Sequence, residues 1–337
     1  MSSHKSRAAD SIRRLDEQLW ARTMAFLLDL DLEGLRVRCP KCKRTGTPTP
    51  KWEKGPKIKP LHVFHKNGRS EPDVCALDEN EAQEVRGQVS LPEADVKTLL
   101  RKADAYVLFS GGQDSLCTLD YLATIASSIG REITAIHVDT TAGFPEVTQY
   151  VKSVCQQLEV PLEIVKPEID YFTMAKEWGI PGINSRWCCR ELKIRPLAEF
   201  LARMDNPKIV FDGIRAVESP IRAKYVPVWF HPSFNCLSVS AIFDWTDEKI
   251  ELYTEDRGLP SGPWAELGTS GECWCGAYKK KADFEQLYHL HPEIYYKLME
   301  VEKANKHGFT FVYDNGRRIP LVDLEKQIRQ PQGRDEV

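Results

Sequence analysis

Long apolar runs are missing from this chain. No segment approaches the roughly 20 uninterrupted apolar residues that a membrane span requires. The opening stretch "MSSHKSRAADSIRRLDE" lacks the apolar block of a secretory signal. The expectation is a cytoplasmic protein without a membrane partner. Internal repeats and low-complexity tracts are absent too, which sets repeat architectures aside. Acids are scarce in one place. Residues 36–69 hold eleven Lys or Arg and the single acid Glu53, so that segment is +10 while the rest of the chain is -13, for a net charge of -3. A segment this basic, carrying Trp52, Phe64 and several prolines, suits a phosphate backbone as well as it suits an ordinary solvated loop.

The 337 residues, 42% hydrophobic, are enough to bury a sizeable core in one large domain with an appendage or in two domains. Ile12, Leu15, Leu19 and Phe26 lie near helical spacing, which predicts an amphipathic helix over 8–30. From about residue 92, strand-like runs ("AYVLFS", "ITAIHVD", "LEIVKPE", "KIVFDGIR") alternate with helical patterns beginning at Ser115 and around "EVTQYVKSVCQQL". That alternation predicts an α/β fold: a right-handed, mostly parallel, doubly wound sheet covered on both faces. After about 216 the pattern loosens into Trp-, Pro- and Gly-rich sequence that ends in a helical block at 283–306. The expected organisation is an N-terminal helix (1–35), a small basic Cys-containing module (36–90), an α/β domain (91–225) and a C-terminal region (226–337).

"SGGQDS", residues 110–115, follows the first of these strands and opens the first helix. Ligands of open α/β sheets bind at such strand-to-helix turns. Gly111 and Gly112 let the backbone approach a phosphate, and Ser110 and Ser115 offer hydroxyls. The following helix presents free N–H groups and the positive end of its dipole. Asp114 fits an anion site if it holds a magnesium that bridges phosphates. A plain Gly-Gly turn with Asp114 and Ser115 capping the helix is the simpler alternative; the whole string in this context favours the cradle.

Ten cysteines in a cytosolic chain read as free thiols or metal ligands. Cys188 and Cys189 are adjacent, and Cys273 and Cys275 form a second close pair 83 residues on. Thiolates grouped this way can hold a four-iron, four-sulfur cluster, with Cys236 as a further candidate. Cys39 and Cys42, in "CPKC", are half of a zinc site, which Cys75 with His65 or His62 would complete. Cys117 and Cys155 sit at helical core positions and read as packing.

The loop resembles the PP-loop of the ATP pyrophosphatase superfamily, and three further segments extend the resemblance over about 104–280. "HVDTTAGFPEVTQYV" (137–151), "RWCCRELKIRPL" (186–197) and "DGIRAVESPIRAKY" (212–225) are similar to motifs of its sulfonucleotide reductase branch, the PAPS reductase-like family. The resemblance implies ATP and Mg2+ as cofactors. It implies pyrophosphate contacts from Ser110, Gly111, Gly112, Gln113, Asp114 and Ser115, although many relatives have lysine where Gln113 stands. Asp139, Gly213 and Arg215 would lie at the nucleotide. Asp114, Lys193 and Arg215 would be catalytic, the latter two as clamps on transferring charge, with Arg190 and Arg222 as weaker candidates. The double cysteine followed by a late pair implies an iron–sulfur cluster on Cys188, Cys189, Cys273 and Cys275, with Cys-x-Cys here in place of the branch's Cys-x-x-Cys. Reductases of this branch attack with a cysteine near the C-terminus. No cysteine follows Cys275, and the chain ends "EKQIRQPQGRDEV". The implied activity is therefore ATP cleavage to AMP and pyrophosphate that adenylates a nucleic-acid acceptor for sulfur insertion. The motif set is most similar to the activating subunit of DNA phosphorothioation. DNA, a cysteine desulfurase and other sulfur-modification subunits are the implied partners. A tRNA thiolase, a sulfonucleotide reductase and a non-enzymatic iron–sulfur nucleic-acid-binding protein are the alternatives.

Overall fold

Six strands form the central sheet of the chain, for which a computed structural model describes residues 25–50, 60–66, 73–204, 207–263, 273–277, 279–305, 310–314 and 316–330. A four-stranded antiparallel sheet comes first: β1 (Val37–Arg38), β2 (Thr45–Pro50), β3 (Leu61–His65) and β4 (Asp73–Ala76), in that order. Pro48 and Pro50 fall where β2 has run past its short partner β1 and is an edge, the place a strand tolerates them. Helices α1 (Glu79–Arg86) and α2 (Glu93–Lys102) lead into the central sheet. A capping box between Asp78 and Glu81 starts α1.

The central strands are β5 (Asp104–Leu108), β6 (Ile133–Val138), β7 (Leu162–Val165), β8 (Lys208–Asp212), β9 (Val228–His231) and β10 (Cys236–Ser240). Their order is β7-β6-β5-β8-β10-β9, parallel except for β9. The sheet is thus the mostly parallel α/β structure expected from the alternation. The expected boundary at 225 does not hold, because β9 and β10 add two strands beyond it. Helices α3 (Gln113–Ser128) and α4 (Pro145–Gln157) cover one face, packing Leu116, Leu119, Val147 and Val151 with Ala105, Val107 and Ala135. On the other face, α6 sets Leu197 and Leu201 against Ile136, Val138 and Val210. This helix runs from Trp187 to Ala202 and contains a π-helical turn at Arg190–Ile194. Successive residues of a strand point to opposite faces, so two helical layers require apolar residues in continuous runs.

Helices α5 (Tyr171–Trp178) and α7 (Asp247–Arg257) flank the carboxyl end of the sheet. The helical block expected at 283–306 is two helices, α8 (Lys281–Leu290) and α9 (Pro292–Ala304), broken where Pro292 follows His291. A short hairpin, β11 (Val312–Asp314) and β12 (Arg317–Ile319), and helix α10 (Leu321–Arg329) complete the described chain. Of the helix expected over 8–30, only 25–30 is described, and it is helical; the remainder lies outside the described residues. No helix among the described residues is long and apolar enough to cross a membrane.

Candidate functional site

The chain runs from β5 to β6 and β7 on one side, then returns to place β8 on the other side of β5. The carboxyl end of β5 is therefore a topological switch point, where adjacent connections leave in opposite directions and open a crevice. "SGGQDS" occupies that place. Gly111 has φ +88°, a conformation that glycine adopts without steric cost. Ser110 and Ser115 hydroxyls meet at 3.1 Å, and Ser115 Oγ also donates to the Gly112 carbonyl at 2.8 Å. The loop is thereby fixed internally, and α3 begins at Gln113 with its first N–H groups at the switch point.

Asp114 and Arg215 come together across the crevice. Arg215 is buried, its Nε 3.0 Å from Asp114 Oδ1 and its Nη1 2.8 Å from Asp247 Oδ1. The Nε approach lies off the hydrogen-bond direction, so charge holds that contact. Burial pushes the Asp114 carboxyl up, against the pull of the guanidinium. The pairing matters chemically, because an uncompensated carboxylate at this helix start would repel a phosphate. Gly213 makes the approach possible: a Cβ there would lie 3.0 Å from Asp114 C and Ser115 N. Asp212, half-buried at the end of β8, accepts from Ser240 Oγ (2.7 Å), Ser238 Oγ (3.0 Å) and the Ile214 N–H (3.1 Å). It sets the direction in which the chain leaves the sheet toward Arg215. Asp212 and Asp247 were not singled out from the sequence. A carboxylate that closes an apolar strand just before a Gly-x-Arg was the available signal for the first.

Asp139 ends β6 at the same edge. Burial pushes its carboxyl up, but Lys166 at 2.8 Å and the Thr141 N–H at 3.1 Å outweigh this and hold it below the usual range. Gln113 points away from the cradle, its amide reaching Thr254 Oγ1 of α7 at 3.4 Å. Arg190 pairs with Glu191 at 2.6 Å, and Arg222 pairs with Glu218.

The four late thiols converge beside this edge. Cys188 Sγ lies 3.7 Å from Cys275 Sγ, which lies 3.5 Å from Cys273 Sγ. The Cys188 thiol draws the neighbouring Cys189 down, with help from the charge of Lys193, while Cys188 and Cys275 are pushed up. Cys273 bridges to Gly143, and the Trp274 N–H donates to the Ala142 carbonyl, so the late pair is stitched to the loop after β6. Tyr171 donates to the Cys275 carbonyl at 2.8 Å. Tyr171 also stacks on Trp187 and meets Trp274 edge-on, which jackets the thiols in aromatic rings. Four thiols from two segments in an aromatic shell are a donor set suited to an iron–sulfur cluster.

A second group lies in the antiparallel module. Donor atoms of Cys39, Cys42, His65 and Cys75 are all within 4.8 Å of one another. His62 is turned elsewhere, its Nδ1 3.1 Å from the Pro60 carbonyl. Cys117, Cys155 and Cys236 are buried away from both sets. The basic segment around the module is partly neutralised by acids just outside it. Arg36 pairs with Asp31, Lys41 with Glu81, Arg44 with Asp73 and Lys66 with Asp29. Residues 51–59 and 67–69, with five of its eleven cations and Trp52, lie outside the described residues.

Comparison with known proteins finds likenesses over the central sheet. Residues 104–271 match the family model of the phosphoadenosine phosphosulfate (PAPS) reductase domain, from the first strand of the central sheet to just before the late thiol pair. An uncharacterized protein of Methanocaldococcus jannaschii is 27% identical over 215 residues, 61% of this chain and 43% of its own. The chain thus spans less than half the length of that relative. The adenosine 5'-phosphosulfate reductase of Mycolicibacterium smegmatis is 29% identical over 203 residues, 57% of this chain and 81% of its own. Among solved structures, the phosphate complex of PAPS reductase from Candida auris overlaps 59% of this chain and 97% of its own, with 17% identity and a TM-score of 0.45. Residues 104–271, just under half of the chain, are thus similar to a PAPS reductase domain.

Proposed function

We propose that this chain is an ATP pyrophosphatase that adenylates a nucleic-acid acceptor for sulfur insertion, with a DNA backbone phosphate as the acceptor. An acceptor oxygen attacks the α-phosphorus of ATP, and the bond to the β,γ-unit breaks with release of pyrophosphate. A sulfur nucleophile from a desulfurase partner then displaces AMP. Such transfer rests on positioning and charge neutralisation rather than on a covalent nucleophile. Ser110, Gly111, Gly112 and the first N–H groups of α3 would cradle the phosphates, and Asp114 would hold Mg2+. Arg215 keeps Asp114 from opposing the incoming charge, and Lys193, whose charge reaches the Cys189 thiol, would clamp the transferring charge. Cys188, Cys189, Cys273 and Cys275 would hold an iron–sulfur cluster, which supplies a centre for sulfur or electron handling when bound.

The observation that carries this reading is the disposition of the thiols. Three cysteines belong to the module set, four to the late set, and the remaining three are buried. Among the described residues no exposed thiol stands at the cradle to attack a sulfonucleotide: Cys117, two residues past Ser115 and within reach of the charges of Asp114 and Arg215, is fully buried. The cations of 36–69 supply the contact proposed for the DNA backbone. Incubation with ATP, Mg2+ and duplex DNA is expected to release pyrophosphate and AMP; release of ADP and phosphate alone refutes the reading.

Sulfonucleotide reduction is the second reading, favoured by the domain match and by the mycobacterial relative's name. Adenosine 5'-phosphosulfate supplied with a thiol reductant distinguishes it: sulfite and AMP formed without ATP select this reading. Deletion of the gene followed by mass spectrometry of DNA and tRNA separates the acceptors, since a lost thiolated base with unchanged DNA points to tRNA.

A further inference from the structure

We infer that Cys39, Cys42, Cys75 and His65 form a structural Zn2+ site that holds together the antiparallel module packed on the β9 edge of the nucleotide-binding sheet. The site is independent of the ATP reading and would stand if that reading failed.

Zn2+ in structural sites takes four protein ligands in a closed tetrahedron, and three thiolates with one imidazole are an established set. Among the described residues the group has that number and type, with no carboxylate in it. Cys39 is fully buried and His65 almost so. The knuckle is formed in its backbone: the Lys43 N–H donates to the Cys39 carbonyl at 2.9 Å, and the Cys39 N–H to the Arg44 carbonyl at 2.9 Å. Lys43 adopts φ +61°, closing the turn so that both thiols face inward. His65 Nδ1 is 2.9 Å from the Thr45 carbonyl, which fixes that nitrogen as the donor and leaves Nε2 bare. Nε2 points at the thiols, 3.2 Å from Cys42 Sγ. An imidazole oriented through its far nitrogen by a carbonyl is the usual support of a metal ligand.

The module also needs such a bond. Its four strands run two to six residues, and its own core is little more than Val37, Leu61, Val63, Ala82 and Val85. Sheets this small require a staple. The same cluster includes Val226 and, at its margin, Trp229, both from the segment that forms β9. Lys224 adds an ion pair of 2.9 Å to Glu79 of α1. β9 is the antiparallel edge strand of the central sheet, and the module covers it. Residues 213–225, which carry Arg215, enter β9 directly, so the zinc-held module supports one wall of the phosphate site.

The full-length chain, purified anaerobically, tests this by metal analysis. About one zinc per chain is expected from a closed four-ligand site. It should be lost to background in C42S/C75S while any iron is kept, and kept in C188S/C273S while iron falls. Zinc that follows Cys188 and Cys273, or is absent from the wild type, overturns the site. Zinc-edge X-ray absorption on unmutated protein keeps the test independent of variant folding. Three sulfurs at about 2.3 Å and one nitrogen at about 2.0 Å are expected, whereas an oxygen-dominated or all-sulfur shell refutes the assignment. Hydrogen exchange over 226–240 reads the clamp: protection should be lost when zinc is chelated, and unchanged protection overturns the coupling to β9.

Discussion

Replacing Gly213 with alanine alters the proposed phosphate cradle without touching a charge. The added Cβ would lie 3.0 Å from Asp114 C and Ser115 N and 3.2 Å from Asp114 O, where ordinary contact begins near 3.4 Å. The obstacles are backbone atoms at the start of α3 and cannot swing aside like a side-chain tip. The strand end and the cradle must therefore separate by about 0.4 Å. Overpacking of this kind costs about 1–3 kcal/mol, equivalent to a Tm several degrees lower at about 2–4 °C per kcal/mol. Sites of this type tolerate about 0.5 Å, and a 1 Å error costs on the order of 100-fold. A roughly tenfold loss of pyrophosphate release lies between these limits. Nucleotide affinity by calorimetry should weaken in parallel, since the same N–H groups are displaced. Gly182→Ala is the control, because a Cβ there meets nothing within 4 Å. A G213A protein with wild-type melting, affinity and turnover would show that β8 and the cradle do not depend on this close approach.

Three other changes probe separate parts of the chain. Asp170 caps α5, accepting from the Phe172 and Thr173 N–H groups and from Thr173 Oγ1 at 2.6 Å, so Asp170→Ala should cost about 1 kcal/mol in urea unfolding. The Thr173 hydroxyl, with the backbone donors, holds the Asp170 carboxyl below its ordinary 3.8. Its stabilisation is therefore full above pH 3.8 and disappears as pH falls through the lower folded value; a wild-type-minus-variant difference that grows on acidification contradicts this. Tyr253→Phe removes a 2.7 Å bond to the buried Asp120, which keeps two bonds from Arg257, so a loss of about 1.5 kcal/mol by chemical denaturation is expected. Gly46→Ala would bring a Cβ to 2.6 Å from Phe64 O and 2.8 Å from His65 Nδ1; expected are zinc loss in metal analysis and a lower Tm, and full zinc occupancy counts against His65 as a ligand.

The parallel core was legible because its strands must be apolar on both faces. "AYVLFS" and "KIVFDGIR" announce themselves whatever their neighbours do. β10 did not, because Ser238 and Ser240 interrupt its apolar pattern. Their hydroxyls are buried only because Asp212, 26 and 28 residues away, needs them. The same distance problem hid the environment of Arg215. It was identified as a charge clamp, but its partners Asp114 and Asp247 lie 101 and 32 residues off. Charge counting failed differently: a window of 36–69 counts the cations and leaves out Asp29, Asp31, Asp73 and Glu81, which fold back onto them.

The choice between His62 and His65 shows what kind of information was missing. Spacing from "CPKC" cannot separate them, since both lie in one five-residue strand. Strand geometry can, once register is known, because side chains three residues apart in a strand face opposite sides. Cys75 stands opposite Val63, and directly paired residues share a face, so Leu61, Val63 and His65 lie on the side of Cys75. His62, paired with Ala76, lies on the other. A slip of β4 by one residue would turn Cys75 to the face of His62 and away from Cys39, Cys42 and His65. The place of Cys75 in the metal set is therefore specified by the β3–β4 register, while the burial of Leu61 and Val63 against Val37 and Val226 fixes the face that β3 turns to the thiols. Zinc and the module core select the same pairing, so a mutation that polarises Val63 should lower zinc affinity although Val63 carries no ligand atom.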